Sequence, residues 1–145
     1  MTPDVNVLVA ASRADHPHHG RALAWLDDAL AACADGSRLC ILPMVAAGVV
    51  RLVTHPRVFD VPTPTAVAVA FVAAVVESPG VEQPRLGPEW SVFADLCRSQ
   101  SLSGNAVPDA WIAAAVHHHH EHLVTFDRGF RRLLDGRSLT VLAPI

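Results

Sequence analysis

Val5 to Ala10 is a short apolar run, rich in β-branched residues, with the carboxylate of Asp4 directly before it. Bounded length and β-branching make it a strand candidate. Near-continuous apolarity fits a strand covered on both faces, as in a parallel sheet between helices. Leu39 to Leu42, Val81 to Gln83, Leu123-Val124 and Leu139 to Leu142 read as further strands.

Helical segments separate these runs. Asp15 is expected to cap the first, with His16 and Pro17 in its opening turn. Leu23, Leu26 and Leu30 then recur at helical spacing until Asp35-Gly36. Pro43 opens a second helix to about Val53, and Thr63 or Thr65 is expected to cap a third running to about Glu77. Pro88 begins a fourth, carrying Trp90 and Phe93, and Asp109 a fifth, running to His120. Strands alternating with helices predict a three-layer α/β sandwich around a mostly parallel sheet, one domain over residues 1–145.

Several function classes are excluded or disfavoured. No glycine lies between Val7 and Arg13, so a dinucleotide-binding turn or a phosphate-binding loop after the first strand is absent. The most apolar stretch, Ala66 to Val76, is too short to span a bilayer as a helix. The opening residues carry no basic stretch ahead of an apolar one, so no secretion signal is expected. Cys33, Cys40 and Cys97 suit neither a zinc site nor a redox pair, and a cytoplasmic location is expected. The net charge of -3 gives no global signal for nucleic acid. A nuclease remains open, because clustered carboxylates can hold divalent ions that meet phosphates.

Three aspartates sit beside elements that can converge in such a sheet. Asp4 lies near the start of the first strand, Asp109 begins a helix, and Asp127 follows Leu123-Val124-Thr125-Phe126. Brought together, they would resist joint ionisation until a hard divalent cation resolved the conflict. Taken singly, each also suits a plainer role: pairing with a basic neighbour, a helix cap or a turn. The run His117 to His120, with His122, is not a metal site on this argument, because successive helical residues point apart.

Three segments carry a family likeness: Asp4-Val5-Asn6-Val7-Leu8-Val9, then Gly104 to Ala114 around Pro108-Asp109-Ala110, then Leu123 to Phe130 around Thr125-Phe126-Asp127. In this order and at these positions they resemble the PIN-domain family, and within it the VapC-type ribonuclease toxins of bacterial toxin–antitoxin pairs. The resemblance covers nearly the whole chain. It implies metal-dependent cleavage of structured RNA, transfer or ribosomal, with Asp4, Asp109 and Asp127 as catalytic and metal-binding acids for Mg2+ or Mn2+. It also implies a cognate antitoxin and a toxin homodimer.

One departure from the family matters. Aligning Pro43, Gly48 and Arg51 puts the family's usual glutamate at Ala46, and Leu39 to Phe59 contains no Asp or Glu. Three accounts stand open: an introduced change, natural loss, or another acid reached through folding. Under the first two, hydrolysis is weakened or absent. Asn6 and Thr125 are candidates for holding the acids in place, and Arg51, Arg128, Arg131 and Arg132 for contacting RNA phosphates. The rival class is a non-catalytic scaffold that binds RNA or the antitoxin; a metal-dependent phosphatase shares the carboxylate logic but not the motifs.

Overall fold

The structure, a computed structural model, describes residues 1–143. In chain order it comprises β1 (Thr2–Pro3), α1 (Val5–Ser12), α2 (His19–Ala34), β2 (Leu39–Cys40), α3 (Pro43–Val53) and α4 (Thr65–Val76). Then follow β3 (Val81–Glu82), α5 (Trp90–Ser99), α6 (Ala106–His118), β4 (Leu123–Thr125), a 3-10 turn (Arg128–Arg132) and β5 (Leu139–Val141).

Every strand pairing is parallel. β4 lies between β1 and β5, with Thr2 opposite Leu123 and Leu123 opposite Leu139. β2 pairs with β3. The Cys40 N–H donates to the Met1 carbonyl at 2.9 Å, which brings β2 alongside β1. The three-stranded sheet β1-β4-β5 and the two-stranded sheet β2-β3 thus meet edge to edge in the order β3-β2-β1-β4-β5, and the succession reverses between β1 and β4. A parallel sheet flanked by helices is the expected α/β architecture, and the reversal opens a crevice beyond the strands' carboxyl ends.

The first apolar run is a correction. Val5 to Ala10 is helix, not strand; the strand is the pair of residues before Asp4. Asp4 follows β1 and caps α1, its carboxylate accepting from the Val5 N–H. Val7 through Ala11 are all buried, so α1 lacks the polar face that would have marked it as a helix. A short apolar run covered on every side has no readable period.

Other caps also differ. α2 begins at His19, not Asp15, whose carboxylate instead pairs with Arg13 at 2.6 Å. Arg13 also donates to Thr63 Oγ1 and the Val61 carbonyl and lies over the Phe59 ring, tying α1 to the loop before α4. Thr63 is thus engaged elsewhere, and neither it nor Thr65 caps α4, which follows Pro64. α5 starts at Trp90 rather than Pro88 and α6 at Ala106, so Asp109 sits inside the first turn rather than at the cap. Pro108 fits there because the first turn has no intrahelical use for its missing N–H.

The core joins both sheet faces. Leu8, Leu26, Ile41, Leu42, Val49, Val116, Leu123 and Phe130 belong to one buried cluster. Each such side chain contributes about 1.5–3 kcal/mol by leaving water. α3 packs close to α1 at Gly48, where a Cβ would stand 2.9 Å from Val5 Cγ2. α4 carries no charge and buries only Ala68 and Val75, leaving Val67 and Val69 exposed. Among the described residues no helix is long and apolar enough to cross a membrane.

Candidate functional site

Parallel pairing of β1 with β4 sets their carboxyl ends side by side. Asp4 follows β1 directly, and Asp127 follows β4 by two residues. The first turn of α6 brings Asp109 to the same place. All three line one cleft of about 1100 Å³, together with Asn6, Arg51, Asn105 and Trp111.

Asp4 is almost enclosed, 5% exposed. Its Oδ1 accepts from the Val5 N–H at 2.6 Å. Its Oδ2 accepts from Asn6 Nδ2 and from the Thr125 hydroxyl, each at 2.7 Å. Asn6 Oδ1 in turn accepts from the Phe126 N–H at 3.1 Å, and Thr125 Oγ1 from the Asp127 N–H at 2.9 Å. Asp127 Oδ1 accepts from the Gly129 N–H at 2.6 Å, which fixes the acid at the head of the 3-10 turn. Asn6 and Thr125 therefore connect the Asp4 carboxylate to the backbone of Phe126 and Asp127.

The charges feel each other. Burial pushes the Asp4 pKa up to about 6, against the bonds from Thr125 and Val5; the charges of Asp109 and Asp127 add to the rise. Burial, then the charge of Asp127, raises Asp109 as well. Three oxygen-donor groups in mutual repulsion suit a hard divalent cation in kind. Among the described residues, however, no three His, Cys, Asp or Glu side chains stand close enough to form a finished ligand cluster. The set is open, and an ion would have to draw it together.

The PIN-domain pattern matches residues 1–134. The chain belongs to the PIN-domain family. It is 38% identical over 137 residues to ribonuclease VapC31 of Mycobacterium tuberculosis, covering 94% of each chain. Ribonuclease VapC25 of the same organism is 39% identical, again over 94% of each. Ribonuclease VapC43 is 35% identical over 144 residues, 93% of this chain and 96% of the relative.

In this PIN domain the other expected residues separate. Arg51 lines the cleft, one helical turn beyond Gly48. Arg128, Arg131 and Arg132 are exposed beyond Asp127 and do not line it; Arg131 borders a separate pocket with Leu134 and Leu139. α3 lines the cleft with Pro43, Met44, Ala47, Gly48, Arg51 and Leu52, centred on the stripe Met44, Ala47, Gly48, Arg51; Ala46 is not among the lining residues and packs, half-buried, against the core cluster, as Met44 and Leu52 also do. That stripe follows the i, i+3, i+4, i+7 spacing of one helix face, and Ala46 falls on the opposite one. α6 ends at His118, so His118 and His122 do not share a helix.

Sequence reasoning marks Trp90 and Phe93 as possible anchors for a partner, but places neither Phe93 nor Trp111 in the PIN cleft. Trp111 and Phe93 line it, and Glu89, only 2% exposed, accepts from Trp111 Nε1 at 2.8 Å. The signal was present in a tryptophan two residues from Asp109. Its tether to Glu89, 22 positions back, was not readable.

Proposed function

We propose that this PIN domain is a magnesium-dependent endoribonuclease, the toxin of a cytoplasmic toxin–antitoxin pair, acting on structured RNA of the transfer or ribosomal class. The observation that carries the reading is the meeting of Asp4, Asp109 and Asp127 in one cleft at the sheet's switch point. The VapC ribonucleases to which the chain is 35–39% identical support it. Family membership likewise supports an inhibitory antitoxin and a toxin homodimer.

Asp4, Asp109 and Asp127 would hold the ion, Mg2+ or Mn2+. When bound, it supplies Lewis acidity for the phosphodiester and lowers the pKa of a water ligand. The chain's own residues do the positioning. Thr125 and Asn6 fix the Asp4 carboxylate by donating to Oδ2. The Gly129 N–H orients Asp127 and leaves its other oxygen free of the bonds described. Arg51, on the cleft wall, can grip a phosphate through paired N–H bonds.

The cleft face of α3 contributes no acid, which supports reduced hydrolysis and keeps a second reading alive: a scaffold that binds RNA or antitoxin without cutting. Incubating the chain and its Asp109→Asn variant with total cellular RNA tests both. Magnesium, manganese and chelator are compared. Discrete cleavage that needs metal and Asp109 supports the nuclease. RNA binding without cleavage under any condition supports the scaffold.

A further inference from the structure

The cleft that holds the acids is also lined by aromatic side chains. Trp111 stands two residues beyond Asp109 on α6, lines the cleft and is 40% exposed. Phe93 of α5 lines the same cleft, and the Trp90 ring lies 5.4 Å from it, with Trp90 67% exposed. The exposed faces of these rings can stack against a planar partner.

Trp111 is also held. Its indole N–H donates to Glu89 Oε1 at 2.8 Å, and Glu89 Oε2 accepts from the Gly87 N–H at 2.8 Å. Burial alone would raise the Glu89 pKa. The bonds from Trp111 and from the backbone amides of Glu89 and Gly87 outweigh it and hold the carboxyl below its ordinary value. A charge-assisted bond of this kind is strong. Because the N–H is spent on Glu89, the indole has only its π-surface and ring edge left for a ligand.

We infer that Trp111, fixed by Glu89 and sharing the cleft with Phe93, is a stacking platform for one unpaired base of the strand whose phosphodiester reaches the carboxylates. This rests on the nuclease reading and adds to it a preference for single-stranded segments. Bases inside a duplex are stacked already and offer no free face. Continuity selects the occupant: Trp111 and Asp109 line one cleft, so a strand that fills it from the acids meets Trp111. Glu89 is a positioning residue, acting through Trp111.

The test is fluorescence anisotropy with a labelled oligoribonucleotide, single-stranded and as a duplex, with calcium replacing magnesium to slow turnover. Trp111→Ala is expected to weaken single-strand binding about tenfold or more, the loss typical of removing one base–aromatic stack. Trp111→Phe keeps most of the affinity. Trp111→Leu, which retains apolar bulk, loses it, and stands in if the alanine variant melts. Glu89→Ala weakens binding and Glu89→Gln restores much of it. In cleavage assays Trp111→Leu raises KM more than it lowers kcat.

Equal binding by wild type and Trp111→Leu overturns the inference while leaving the nuclease reading in place. So does a preference for duplex, or loss of a protein partner's binding with RNA affinity unchanged. If binding depends on Trp111 but neither wild type nor Asp109→Asn cuts RNA, the stacking stands and the catalytic reading falls. If the wild-type chain binds no RNA, both fall.

Discussion

The Thr125 hydroxyl donates to Asp4 Oδ2 at 2.7 Å across 121 residues of sequence. Thr125 Oγ1 also accepts from the Asp127 N–H, so one buried side chain ties the Asp4 carboxylate to the Asp127 backbone. Thr125→Val keeps the shape and removes these bonds, along with the one that Thr125 Oγ1 accepts from Asn6 Nδ2 at 3.0 Å. It is expected to cost about 1–3 kcal/mol, the penalty for leaving buried polar groups unpaired. Urea unfolding measures it. A variant as stable as wild type would mean that the hydroxyl network contributes nothing to holding the acids.

Asp4 makes the ion-free protein less stable as pH rises. Its folded pKa, about 6, lies above the ordinary 3.8, so between these values the folded chain holds a proton that the unfolded chain has lost. Stability from this group is present below pH 3.8, declines through that window and is gone above pH 6. The size is roughly 3 kcal/mol, at 1.36 kcal/mol per pKa unit. Asp109, also raised, acts in the same direction. Asp4→Asn should flatten the profile from pH 4 to 7, as read by chemical denaturation; an unchanged slope would sink this account.

Ala46 and Ala47 separate two ideas about the missing acid. Ala47 is exposed and lines the cleft; Ala46 packs against the core. Ala47→Glu is therefore expected to tighten magnesium binding about tenfold, ~1.4 kcal/mol, and to raise metal-dependent cleavage. Ala46→Glu should instead destabilise the fold without improving affinity. Isothermal titration with magnesium decides between them, and the reverse ranking would restore position 46 as the glutamate site.

Gly48 sets how near α3 comes to the residue after Asp4. Its added Cβ would meet Val5 Cγ2 at 2.9 Å, closer than such atoms ordinarily approach. Gly48→Ala is expected to cost about 1–3 kcal/mol through overpacking. Val5→Ala in the same chain should recover part of it. A double-mutant cycle by thermal melting checks the coupling; strict additivity would exclude the contact as the cause.

Much of the sheet and the acid set was legible in the sequence, for a physical reason. Asp109 and Asp127 follow punctuated segments, Pro108 before one and a strand before the other, and local chemistry marks such places. α3 was readable from Pro43 to Val53 because proline opens it and His55-Pro56 closes it. α1 was not, because uniform burial from Val7 to Ala11 erases helical period. Trp111 was hidden differently. Its role depends on Glu89, whose place is set by how α5 packs on α6, and no local pattern encodes that packing.

Arg51 is the only lysine or arginine among the described residues that line the cleft. Affinity for a polyanion usually comes from releasing its counterions, and each neutralised phosphate of a single strand steepens the salt dependence by about 0.7 in log–log slope. A groove with one cation has little of that to draw on. An RNA held here would change affinity only slightly with ionic strength, and discrimination among strands would pass from the backbone to the base faces. Such a ligand stays in place as salt rises and leaves when the divalent ion is taken away.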